Sequence, residues 1–133
     1  MKNLRKTTPA RHLTFIRIVS AMPLLAIGTQ HLIGMVPMEP ILEGAGFPLV
    51  SFFAITVPVL EVLMGLALVV GFYARVGALI SLGIMVGAIY AHLVHDWADE
   101  PVLLLPVAVL LGTLQVLWSG AGAFSSDLVA SDG

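Results

Sequence analysis

The chain has no cysteine. That absence excludes disulfide staples, thiolate metal sites, thiol relays and covalent c-type haem attachment. Charge is nearly as scarce: six Lys or Arg and eight Asp or Glu make up 11% of 133 residues, against about 25% in an ordinary soluble domain. There is no basic surface interleaved with aromatics, so no nucleic-acid partner is expected. A phosphate loop, a nucleophile elbow and a metalloprotease helix motif are missing too. What remains is apolar. With 59% hydrophobic residues and a mean hydropathy of +1.03, the chain falls in the membrane class.

Four apolar stretches, roughly 12–36, 47–70, 76–94 and 102–118, each have the ~17–25 residues a bilayer-spanning helix needs. Their connections are short, so consecutive helices run antiparallel. The expected fold is all-α: a single integral-membrane domain over 1–133, built as a four-helix bundle. The basic residues Lys2, Arg5, Lys6, Arg11, Arg17 and Arg75 lie before or just inside the first span, or in the turn between the second and third. The other two connections carry only acids: Glu39 and Glu43, then Asp96, Asp99 and Glu100. The positive-inside rule then predicts an N-in/C-in protein of the bacterial inner membrane, with the Arg75 turn cytoplasmic and Trp97 and Trp118 anchoring opposite interfaces. A basic stretch followed by an apolar one also opens a signal peptide. Here the apolar run continues past any plausible cleavage site, so an uncleaved first span is expected.

Glu61 is the most informative residue. The run from Phe47 to Gly71 contains no other charge, and an ionisable group inside a membrane span marks a functional-site hypothesis with a partner to be found. The span tolerates it. About fifteen Leu, Ile, Val or Phe, at ~0.3–0.6 kcal/mol each, outweigh the ~2.5–3.5 kcal/mol cost of a central charge. Arg17, Ala21, Leu24, Gly28 and His31 follow a 4-3-4-3 spacing that puts them on one stripe of the first span. With the second span descending from the outside, Glu61 is expected in the cytoplasmic half, where Arg17 meets it as an intramembrane pair. The alternative is an Arg17 that snorkels to the inner surface beside a protonated Glu61. Pro58, one turn before Glu61, removes a helix hydrogen bond and frees the Ala54 carbonyl.

The third span has two faces. Gly83, Gly87 and Ala91 form a small-residue stripe, expected to serve close helix packing. Ala78, Ser81, Met85, Ala88, His92 and His95 form a second stripe, whose histidines reach the outer depth of His31. His31, His92 and His95, with Asp96 nearby, are thus a possible ligand-binding cluster. Such imidazoles bind a metal, ligate haem or hydrogen-bond a quinone carbonyl; the bland alternative is wetted residues at headgroup level. Gln30 falls on another face. His12 lies at the cytoplasmic boundary, and the six methionines show no ligand spacing.

The order of Arg17, Gly28 with a polar residue at 31, Glu61-x-x-x-Gly65 and Gly71-Phe-Tyr-Ala-Arg75 resembles the DoxX family of small bacterial membrane proteins. A small-residue third span ending in His92, and the closing Gly120-Ala-Gly-Ala-Phe-Ser-Ser-Asp127, extend the likeness over residues 17–127. The chain departs from the family's frequent lysine at His31 and tyrosine at Phe124. The resemblance implies a four-helix membrane bundle with Arg17 and Glu61 as its polar pair. It also implies an association with quinone-linked sulfur oxidation or with oxidative-stress complexes.

Three functions follow as expectations. The first is an accessory, quinone-interacting subunit of a membrane redox system: without cysteine or a cofactor motif, the chain needs a catalytic protein partner for any electron chemistry. The second is a non-enzymatic scaffold or assembly subunit, docking a partner or a second copy through the small-residue stripe. The third is a small transporter built on the Pro58–Glu61 patch.

Overall fold

The computed structural model describes residues 5–7, 9–94 and 104–131. Among the described residues the helices follow in the order α1 Arg11–Leu32, α2 Met38–Gly44, α3 Val50–Val70, α4 Ala74–Val94, α5 Leu104–Ser119 and α6 Ser126–Ser131. No strand occurs among the described residues. By length and composition α1, α3 and α4 can each cross a membrane, while α5 is apolar but only 16 residues long. The beginning expected for the last span, at Val102, lies outside the described residues, as do His95, Asp96 and Trp97.

The helix ends differ from the apolar runs for local reasons. α1 stops at Leu32, and Gly34 and Pro37 follow. The short α2, unforeseen within the apolar-to-acidic connection, starts on Pro37 with Glu39 in its first turn, where a carboxylate complements the exposed helix amides. It ends where Gly46 takes φ +72° and the amides of Gly46 and Phe47 close back on Glu43 and Leu42. α3 begins three residues later than its apolar run because Pro48 and a left-handed Leu49 precede it. Its other end is a Schellman closure: the amides of Gly71 and Phe72 bond Leu68 and Ala67, a geometry that needs the left-handed φ glycine adopts without penalty.

α1 and α3 pack antiparallel at two glycines. A β-carbon on Gly28 would stand 2.8 Å from Glu61 Cβ and 3.2 Å from the Pro58 carbonyl oxygen; one on Gly65 would meet Leu25 at 2.7 Å. Gly112 of α5 admits Ser20 of α1 in the same way. The contact core runs through Ala21, Leu24, Leu68, Ala78, Val109 and Val116. Outside it the helices present bare apolar side chains, with Phe15, Ile55 and Leu93 each more than two-thirds exposed. Such a surface suits hydrocarbon rather than water.

Candidate functional site

Two polar centres lie inside this apolar bundle, one at its termini and one along its shaft. The first is built on Arg17, which is 1% exposed. Its Nη1 donates to the Ala121 carbonyl at 2.5 Å, and its Nη2 to Phe124 and Val69 at 3.2 and 3.3 Å. Val69 belongs to the last turn of α3, where a cation meets the negative end of the helix dipole. The guanidinium therefore staples the 120–125 loop to the end of α3. Gly71 makes room for it, since a β-carbon there would lie 2.6 Å from Nη1.

Buried Asp127 completes this end. It accepts from the amides of Tyr73 and Ala74, both at 2.8 Å, and so caps the start of α4 from far along the chain. It also pairs with Arg5 at 2.8 Å, while the Arg5 guanidinium rests over the rings of Phe72 and Tyr73. Thr14 Oγ1 donates to the Ala123 carbonyl, and the Gly122 amide donates to Thr7 Oγ1 at 2.7 Å. The N-terminal segment, the α3–α4 turn and the C-terminal loop are thus one network at one end of the bundle.

The expected contact between Arg17 and Glu61 is not made. Helix register explains why. Glu61 packs against Gly28 while Gly71 packs against Arg17, so the two charges lie eleven residues apart along α1, or roughly 16 Å at 1.5 Å per residue. The partner of Glu61 is His31, one turn beyond Gly28: His31 Nδ1 is 3.2 Å from Glu61 Oε2. The side chains are 8% and 5% exposed. The stripe carrying Arg17, Gly28 and His31 is as the spacing predicts; the pairing moves along it.

His31 and Glu61 form part of the wall of a mostly apolar cavity of about 560 Å³, to which α1, α2, α3, α4 and α5 all contribute. That volume lies within the ~300–1,000 Å³ of small-molecule sites. Leu24 and Ile27 of α1, Thr56 and Leu60 of α3, and Met85 and Val109 give it an apolar interior with few polar groups. His92 also borders it, its Nδ1 2.6 Å from the Ala88 carbonyl. A carbonyl only accepts, so Nδ1 carries the proton. His31 and His92 therefore face one space, while the third histidine of the expected cluster, His95, lies outside the described residues. Among those residues no group of three His, Asp or Glu is arranged to hold a metal ion.

Two expectations change here. Within one chain Gly83 and Gly87 do not mediate close helix packing: a β-carbon on Gly83 meets nothing within 4 Å, and one on Gly87 reaches only Phe47 Cζ at 4.0 Å. Both border the cavity, as does Ala91, so the small-residue stripe hollows the bundle where side chains would fill it. Close approach falls instead to Gly28, Gly65 and Gly112. Gln30, assigned to another face, borders the cavity while staying exposed. Thr56 and the α2 residues Ile41 and Leu42 also line it; the sequence signal for them was weak, because the helix that brings two of them there is seven residues long.

Chemically, a buried imidazole–carboxylate pair can hold a proton between Nδ1 and Oε2. It leaves His31 Nε2, which has no hydrogen-bond partner among the described residues, to engage a polar ligand group. Comparison with curated proteins and with solved structures gives no match. A family model does match: residues 12–96, which include Arg17, Gly28, His31, Glu61 and His92, fit that of DoxX. The chain is a member of the DoxX family.

Proposed function

We propose that this DoxX-family membrane protein binds a quinone-type ligand in the cavity as an accessory subunit of a membrane redox system. The observation that carries this reading is the buried His31–Glu61 pair set in the wall of a 560 Å³ apolar cavity. A quinone has an apolar body and a ring carbonyl or hydroxyl that needs one hydrogen-bonding partner. His31 Nε2 accepts from a hydroxyl when the ring is neutral and donates to a carbonyl when it is protonated. Glu61 fixes the ring orientation, and His92 borders the same cavity on the α4 wall. When bound, a quinone supplies two-electron, two-proton chemistry; the electrons come from a partner protein, since the chain has no cysteine and no cofactor motif.

In this reading α5 completes a four-span bundle forming one domain of the bacterial inner membrane, with both ends cytoplasmic. The positive-inside rule supports that orientation: Arg5, Lys6, Arg11 and Arg75 all lie at the end where the termini meet. The scaffold alternative, in which the small-residue stripe docks a partner or a second copy, is distinguished from this reading by the ligand, since within one chain Gly83 and Gly87 border the cavity.

The test is a titration of the full-length protein in lipid nanodiscs with a short-tailed benzoquinone. Saturable binding is expected, weakened at least tenfold by His31→Ala, because a hydrogen bond involving a charged group is worth ~1.5–3 kcal/mol. No saturable binding, or equal affinity in the variant, would overturn the reading.

A further inference from the structure

We infer that the cavity opens sideways between α3 and α4 into the hydrocarbon of the bilayer, so that its ligand is a long-chain, lipid-soluble molecule whose tail leaves through that opening. The inference rests on the quinone reading for the head of the ligand and adds the class of its tail.

The two helices start in contact and then part. Near the turn that joins them, a β-carbon on Gly77 would lie 3.8 Å from Ala67 Cβ and from Leu68 Cγ, an ordinary contact distance. Six residues further along α4, a β-carbon on Gly83 would meet nothing within 4 Å among the described residues. Gly83 is exposed and yet borders the cavity, so the space inside the bundle reaches its surface there. Thr56 and Leu60 border the same space from α3, and Ile80 from α4; all three are only half-buried. Beyond Gly83, Phe47 bridges the two helices. Its Cζ is 4.0 Å from the position of a Gly87 β-carbon, and its ring meets that of Tyr90 edge-on at 5.8 Å.

The depth of the opening selects a lipid-phase ligand. Glu61 is six residues from Ala67, as Gly83 is from Gly77, so both stand roughly 9 Å from the contact that aligns the helices. The opening is therefore level with the buried His31–Glu61 pair. Gly83 is also near the middle of the 21-residue α4, a helix long enough to cross the ~30 Å hydrocarbon layer. An opening at that level meets acyl chains, not water. At the end of the bundle away from the termini, α2 sets Met38, Ile41 and Leu42 against the cavity and leaves Glu39 and Glu43 exposed. A ring held at His31 can thus send an apolar chain straight into the bilayer.

The experiment measures Kd for the full-length protein in lipid nanodiscs with two probes, a benzoquinone without a tail and the same ring bearing a decyl chain. Each is compared between wild type and Gly83→Trp in one bilayer, so partitioning of the chain into lipid cancels from the ratio. The indole has room at this position and fills the opening. It should weaken the decyl form about tenfold more than the tail-less form, the scale of one overpacked contact. Leu111→Trp, at an exposed position of α5 outside the cavity, should change neither. Equal weakening of both probes by Gly83→Trp, no weakening of the decyl form, or a like effect of Leu111→Trp would overturn the opening and leave the quinone site standing. A wild type that does not bind the tail-less ring would instead overturn the quinone reading on which the ligand class rests.

Discussion

Replacing Arg17 with Met separates two accounts of the polar groups in this bundle. Met keeps most of the apolar stem but removes the donors to Ala121, Phe124 and Val69. Hydrogen bonds from a charged donor are worth ~1.5–3 kcal/mol each, and three that share one side chain do not add fully. A loss of about 3–5 kcal/mol is therefore expected, comparable to removing one partner of a buried charged pair. Equilibrium unfolding in mixed micelles measures it, and limited proteolysis should show the 120–127 segment released first. Arg17→Lys should recover only part of the loss, because a point-like ammonium cannot reach carbonyls on two sides as the guanidinium fork does. The decisive comparison is the double variant with Glu61→Gln. Groups ~16 Å apart along α1 with no shared partner should be additive within about 0.5 kcal/mol. A coupling energy above about 1 kcal/mol would restore the ion pair with Glu61, and an Arg17→Met loss below about 1 kcal/mol would refute the assignment of Arg17 to the loop.

Other substitutions read the remaining packing. Gly28→Ala should cost about 1–3 kcal/mol by overpacking, since its β-carbon would press on Glu61 Cβ and the Pro58 carbonyl; Gly83→Ala, with open space around it, should cost far less in the same unfolding assay. Asp127→Ala removes the cap on Tyr73 and Ala74 and the pair with Arg5. A loss of about 1–2 kcal/mol and faster amide exchange at Tyr73 and Ala74 are expected, and unchanged exchange there would contradict the cap.

The sequence made the membrane helices legible because a bilayer imposes one dominant constraint, a long apolar run, and α1, α3 and α4 obey it. Their ends were less legible. Pro48, the left-handed Leu49 and the Asp127 cap operate through backbone geometry that hydropathy does not register. Those shifts matter at the site. Counting the second span from Phe47 rather than Val50 lowers Glu61 toward Arg17, whereas the register at Gly28 places it beside His31. The carbonyls that receive Arg17 could not be seen either, because two of them belong to a loop more than 100 residues away and backbone acceptors leave no residue signature. The small-residue stripe shows a related ambiguity. A missing side chain permits close packing or an open space, and only the neighbouring helix decides which. Here Phe47, at 4.0 Å from the position of a Gly87 β-carbon, is the nearest group.

The measurement that bears most directly on the ligand assignment is native mass spectrometry of the protein extracted gently from its own membrane, compared with Gly87→Leu. A leucine at that position projects into the cavity without meeting a nearby backbone, so the variant should stay folded while its cavity is filled. Retention of a quinone mass by the wild type, and its loss from the intact variant, is expected. A wild-type bundle that carries only phospholipid, or a variant that keeps the quinone, would contradict the assignment of the His31–Glu61 cavity as a quinone site.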